Sequence, residues 1–338
     1  MKTLIACALL VLAPASLAFA SIDGVVVNRT SGKPQPNVSI ALIKPGQQGM
    51  RTIGNTVSDA AGHFSFEKDE PGGGPQLLQA NYRGVNYNKL MTPNVPTANV
   101  ELDVYEATGS PASARIAQRM LVLEPGSARI DVSETVLVEN PTNTTYNNPE
   151  LGGVRFYLPP AANGQVRVNA QGPQGMPLPR PAEKTDESNV FKVDFPVKPG
   201  ETEFEIAYTL PVTAPFTYRG RLVSIKGMPA GPLRLVAPPG VTLSGKDIQM
   251  LGTEPKTQAT IYNLKAAENF AVDISGSGSL HSSDAAGPAD SSDSPPVTQG
   301  EPQIYKHRGW LLALAFSILA VGLLVLFRSS PLGSPYGK

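Results

Sequence analysis

The feature that most constrains this chain is a period-two alternation of apolar and polar residues, carried in short runs that turn residues interrupt every eight to twelve positions. Val100, Leu102 and Val104 fall on one face of such a run, and Glu101, Asp103 and Tyr105 on the other. That is the signature of a strand with one packed and one solvated side. The pattern predicts strands over 24–28, 38–43, 53–58, 63–67, 76–82, 85–90 and 98–105. The turns between them have their own chemistry: Gly32 takes a positive φ without a Cβ clash, Asp59 bonds its own downstream backbone, and Gly62 closes that turn. Gly (32) and Pro (33) together make up about a fifth of the 338 residues, against an average nearer 12%. A helical bundle is disfavoured and an all-β class is expected.

A second β-rich region follows a boundary near Thr108-Gly109-Ser110-Pro111. Its clearest strand is Glu203 to Leu210, where Phe204, Ile206, Tyr208 and Leu210 share a face and Pro199-Gly200 supplies the preceding turn. Runs at 129–140, 154–158, 166–169, 191–195, 217–225, 233–237, 248–251, 260–264 and 270–274 bring the expectation to roughly ten strands, simplest as one larger sandwich. The expected domains are 21–107 and 108–275.

Charge and reactive residues narrow the function. Lys and Arg total 28 and Asp and Glu total 28, which removes the electrostatic motive for nucleic-acid binding. The single cysteine, Cys7, lies in the leader, so the remaining chain has no disulfide, thiolate ligand or thiol nucleophile. His63, His281 and His307 are too scattered to converge on one metal, and neither H-E-x-x-H nor G-x-S-x-G occurs. Gly72-Gly73-Gly74-Pro75 lacks the residues of a phosphate cradle. Glu203 and Glu205 share one strand face about 7 Å apart and read as a solvated face. No catalytic, cofactor-binding or metal-binding residue is expected, and the chain is expected not to be an enzyme. The N-x-[ST] triplets at Asn28, Asn37 and Asn143 read as chance occurrences.

The two ends are apolar. Residues 1–20 carry Lys2, an apolar run, Pro14 and Ala18-Phe19-Ala20, the form of a cleavable secretory signal. Residues 309–327 contain no charge and are long enough, at about 1.5 Å per residue, to span a bilayer core. Tyr305, Trp310 and Arg328 sit where membrane-interface residues belong. A Ser/Gly/Pro/Asp-rich stretch over 276–305 reads as a tether, and 328–338 as a short cytoplasmic tail. The expectation is a single-pass bacterial inner-membrane protein with its body outside the cytoplasm and the membrane among its partners.

Residues Gly24 to Asn28, Gly32-Lys33-Pro34, Pro36 to Ile40 and Ser58-Asp59-Ala60-Ala61-Gly62-His63-Phe64-Ser65-Phe66 resemble the carboxypeptidase regulatory-like domain, over about 85 residues. The resemblance implies a seven-stranded transthyretin-like sandwich and carries no peptidase activity with it. It is similar to modules of exported bacterial proteins, and the broader likeness of that sandwich to starch-binding domains implies carbohydrate as a ligand class.

Three functions stand open at this level. The first is a non-enzymatic membrane-anchored envelope protein that binds or scaffolds another envelope protein. The second is carbohydrate or cell-wall binding through the first sandwich, with Tyr82, Tyr87 and Tyr105 stacking on sugar rings. The third is a hydrolase with an unrecognised site.

Overall fold

The computed structural model describes residues 22–46, 49–66, 74–93, 96–173, 175–211, 216–265 and 268–280. All of them belong to one compact unit built on two separate hydrophobic cores.

The first core is a pair of four-stranded sheets. In one, Ile22–Asn28 pairs in parallel with Val100–Val104 along one edge, and antiparallel with His63–Phe66 and Lys33–Pro34, end to end, along the other. In the second, the order is Gly49–Val57, Ser39–Gly46, Gln76–Tyr82, Val85–Met91, all antiparallel. The last two strands join through Arg83 (φ 52°) and Gly84 (φ 75°), a two-residue turn whose left-handed residues match the twist of the hairpin. Val26, Ile40, Leu42, Leu78 and Leu102 fill the space between the sheets, each at most 1% exposed. The Asp59 turn is built from its side chain: Oδ1 accepts the N–H groups of Ala61 and His63 at 2.9 and 2.8 Å. Gly62 follows at φ 80°, where an added Cβ would lie 2.9 Å from Pro34 Cβ.

The second core lies under an eight-stranded sheet. Its order is Leu178–Pro179, Arg167–Gln171, Gly200–Pro211, Arg129–Asn140, Arg115–Pro125, Leu233–Ala237, Thr260–Leu264, Ile248–Thr253. Only the contact of Arg115–Pro125 with Leu233–Ala237 is parallel. Two three-stranded sheets cover its inner face, one of 154–157, 190–193 and 183–184, the other of 216–221, 269–276 and 241–244. The strand Arg115–Pro125 is absent from the sequence expectation. A bulge at Ile116/Gln118 breaks its alternation, and the run Met120 to Leu123 hides the period.

That strand carries a buried charge. Arg119 is 2% exposed inside the sandwich. Its Nη1 donates to Glu134 Oε1 at 2.8 Å, and its Nη2 donates to the carbonyls of Arg155 (2.9 Å) and Val223 (2.7 Å). One guanidinium thus ties the large sheet to the backbone of the layer facing it. Burial pushes the Glu134 carboxyl above its ordinary range, and the charge and hydrogen bond of Arg119 pull it back. Beside this pair the hydroxyls of Tyr208 and Tyr218 meet at 2.8 Å, again across the two layers.

The two cores are joined by a polar seam. Ala107–Thr108 pairs in parallel with Thr145–Tyr146. Glu106 accepts hydrogen bonds from Asn28 Nδ2 (2.8 Å) and the Tyr82 hydroxyl (2.5 Å), while its carbonyl accepts the Thr145 N–H. Lys198 places its amine 5.1 Å from the centre of the Tyr87 ring. Burial pulls its pKa down to about 8.

The expectation of a fold closed by a C-terminal transmembrane helix is corrected here. Among the described residues the only helical segments are the single 3-10 turns Pro111–Ser113 and Pro160–Ala162, and no helix is long and apolar enough to cross a membrane. The apolar run 309–327, with Tyr305, Trp310 and Arg328, lies outside the described residues, as do the expected leader 1–20, the expected tether from residue 281 onward and the expected tail 328–338. Single-pass anchoring, the inner-membrane location and the membrane as partner were all derived from that one apolar run. With no spanning helix among the described residues, they are withdrawn; the all-β class of the body stands.

Two outcomes follow from the buried charges. Arg119→Met leaves Glu134 buried without its partner and costs about 3–5 kcal/mol in denaturant unfolding, more at pH 7 than at pH 4, where the carboxyl is neutral; Arg119→Met with Glu134→Leu recovers most of the loss. The Lys198 amine has a lower pKa folded than unfolded, so the unfolded chain binds more protons between about pH 8 and pH 10.4 and stability attributable to Lys198 rises across that window. Lys198→Met therefore gains about 1–2 kcal/mol at pH 7, and the gain shrinks toward pH 10. Melting curves of both chains across this range check it.

Candidate functional site

A broad concavity arises where the strand pairing of the large sheet stops. Gly200–Pro211 pairs with Arg129–Asn140 along its whole length, from Asn140 opposite Gly200 to Arg129 opposite Pro211. Alternation sends Phe204, Ile206 and Tyr208 into the core and leaves Glu205, Ala207 and Thr209 on the outer face. On the neighbouring strand Asp131, Ser133 and Thr135 face outward likewise. The next strand, Arg167–Gln171, covers only 203–207 of Gly200–Pro211. Upstream of Arg167 the chain turns away through the 3-10 turn Pro160–Ala162, Asn163 (φ 51°) and Gly164 (φ 74°). The edge beyond Ala207 is therefore unpaired by that strand, and the departing turn becomes a wall.

The result is a groove of about 1190 Å³ that continues into a second hollow of about 680 Å³. The two share Ser133, Val166, Arg167 and Ala207. Ser133 lies directly opposite Ala207 in the register, so two of the smallest side chains meet at the centre of the floor. Glu124 and Ser279 border the far side, with the Ser279 hydroxyl donating to Glu124 Oε1 at 2.9 Å. The carboxylates on the surface of the groove have partners: Asp131 accepts from Thr209 (3.1 Å) and lies 3.4 Å from Arg129 Nε, and Glu205 accepts from Asn169 Nδ2 (3.4 Å). Arg180 borders the smaller hollow through its backbone position opposite Val168, and its guanidinium turns to the core side, 5.0 Å from the centre of the Phe195 ring.

The residues expected from sequence to stack on sugar lie elsewhere. Tyr87 is 3% exposed; its hydroxyl donates to the Tyr105 carbonyl (3.0 Å) and meets Thr145 Oγ1 (2.9 Å). Burial lifts its pKa to about 12. The Tyr105 ring sits 5.8 Å from that of Tyr87, and Tyr82 gives its hydroxyl to Glu106. All three belong to the seam between the cores, where protein groups already occupy them. Gly32, Asp59 and Gly62 lie in turns of the first sandwich. A smaller polar pocket of about 500 Å³ includes Asp23, Asp59 and His63, with His63 Nδ1 3.8 Å from Asp59 Oδ2. Asp23 and Asp59 both hold backbone N–H groups there, of Asn99 and of Ala61 and His63. No group of three or more His, Cys, Asp or Glu able to hold a metal occurs among the described residues. The groove residues Ser133, Arg167, Arg180 and Ala207 carry no sequence motif; only the Pro179-Arg180-Pro181 triplet sets one of them apart.

No protein-family profile matches the chain, and no curated protein matches its sequence. Among solved structures it is similar to an M1 zinc metallopeptidase from Deinococcus radiodurans, at 12% identity and TM-score 0.27, over 48% of this chain and 42% of that one. A mutant of that enzyme bound to a Tyr-Ser-Ala substrate gives the same values. The chain thus spans less than half the length of the structures it matches. The expectation that it is not an enzyme is withdrawn, the matched structures being those of a peptidase. A likeness at this TM-score carries no argument about activity.

Proposed function

We propose that the chain is a binding protein for an extended polypeptide, which lies along the groove on the outer face of the eight-stranded sheet. The observation that carries this reading is the groove itself: two continuous hollows over a floor narrowed to Ser133 and Ala207, running beside a strand edge that Arg167–Gln171 leaves uncovered. An extended chain presents N–H and C=O groups at a regular spacing, and an uncovered strand edge with nearby hydroxyls offers the complementary groups. The aromatic rings nearest the floor are already engaged, since Tyr208 is in the core and Phe195 stacks with Arg180. A sugar ring would find no free aromatic face, which favours polypeptide over polysaccharide.

Fluorescence anisotropy of labelled, unstructured peptides against the full-length chain tests the reading. Ala207→Tyr fills the floor from an outward-facing position and is expected to weaken binding by about tenfold or more while leaving the melting temperature little changed. Equal affinity in the parent and Ala207→Tyr chains would remove the groove from the function.

A further inference from the structure

The last described residues of the chain border the groove. Past the strand Asn269–Gly276, the Gly278 N–H donates to the Pro125 carbonyl at 3.2 Å, the Ser279 hydroxyl to Glu124 Oε1 at 2.9 Å, and the Leu280 N–H to the same oxygen at 2.6 Å. Pro125 is registered opposite Ile130, and Glu124 opposite Asp131. Between Gly278 and Leu280 the chain therefore advances along the sheet in the direction of Ser133. Glu124 lies on the outer face, the same side as Ser133, Ala207 and Arg167.

At the centre of that floor stands an unpaired cation. Arg167 lies directly opposite Ala207, and Ala207 opposite Ser133. It enters no ion pair among the described residues, whereas Arg129 has Asp131 at 3.4 Å. By the register, Glu124 and Arg167 are separated by three strand spacings of about 4.8 Å and two residue steps of about 3.3 Å, which is about 16 Å in all. Asp284, four residues beyond Leu280, is about 13 Å away along an extended chain, and the two side chains cover the remainder. Residues 282–287 are Ser, Ser, Asp, Ala, Ala and Gly, small enough for a floor narrowed to Ser133 and Ala207. Between Lys265 and Lys306 the sequence holds no Lys or Arg, so no neighbouring cation competes for Asp284.

We infer that residues 281–287 of this chain occupy the groove in cis, with Asp284 against Arg167, and exclude an outside polypeptide until they are displaced. This rests on the polypeptide reading above and specifies how that site is regulated. Because the segment is held at Leu280, its effective concentration at the groove is roughly millimolar, and an outside peptide must compete against it.

The test uses the full-length chain in a Cys7→Ser background, which removes the single native thiol. Two cysteine pairs are compared under mild oxidation, Ser133→Cys with Ser283→Cys and Ser133→Cys with Ser292→Cys. Closure by an undocked chain depends only weakly on loop length, so both disulfides would then form at similar rates; docking is expected to make the Ser283 pair close about tenfold faster. Adding Asp284→Lys should bring the two rates together, and Asp284→Asn, which removes only the charge, should give part of that effect. In anisotropy titrations, a labelled peptide of residues 281–290 is expected to bind the Asp284→Lys chain about tenfold more tightly than the parent. Equal closure rates of the two pairs overturn the cis occupant and leave the groove reading intact, and equal measurable affinity of the peptide for the two chains overturns the exclusion. Failure of the peptide to bind either chain, with the Ser283 pair still closing faster, overturns the groove as a site for outside polypeptide and leaves the cis occupant in place.

Discussion

The second sandwich depends on a single buried guanidinium. Arg119 faces a carboxylate on its own sheet and two backbone carbonyls on or beside the sheets opposite, so the layers are tied by charge-assisted hydrogen bonds as well as by apolar contact. Such a pair is poor value as raw stability, because two ions must leave water. What it supplies is a fixed relation between layers, since any sliding of one sheet would strand a charge in the core. The Tyr208–Tyr218 hydroxyl contact imposes the same condition a short distance away.

The groove inherits its shape from that fixed sheet. Gly200–Pro211 stays paired with Arg129–Asn140 for twelve registered positions, which gives the floor a regular, rigid surface. The third strand ends early because Asn163 and Gly164 turn the chain in left-handed conformations that a continuing strand would not use. The groove is thus a consequence of one strand being shorter than its neighbours. Its floor is shallow where Ser133 meets Ala207 because neither side chain rises far from the sheet.

The seam between the two cores explains why the tyrosines of the first sandwich are not a surface. Tyr82, Tyr87 and Tyr105 were conspicuous in the sequence as aromatic residues near the end of one module. In the structure Thr145, Glu106 and Lys198 reach them, and part of that reach comes from the second module, more than fifty residues away in the chain. Sequence patterning shows that a side chain lies on a face but not what else covers that face. The Asp59 turn contrasts with this, because its hydrogen bonds close within four residues and were legible from the Ser58 to Gly62 segment itself.

What the sequence by itself determined was the local geometry. Period-two alternation at Val100 to Val104 and Phe204 to Leu210 set strand type and facing, and Gly and Asn at left-handed positions set the turns, because both are decided by a residue and its near neighbours. It did not reveal Arg115–Pro125, whose alternation is broken by a bulge that only the partner strand makes intelligible. Nor did it mark Arg119 or Arg180, which read as ordinary basic residues until the fold buries one against Glu134 and stacks the other on Phe195. Tertiary structure decided those roles because the value of a charge depends on the dielectric and partners around it, and these come from segments far apart in the chain.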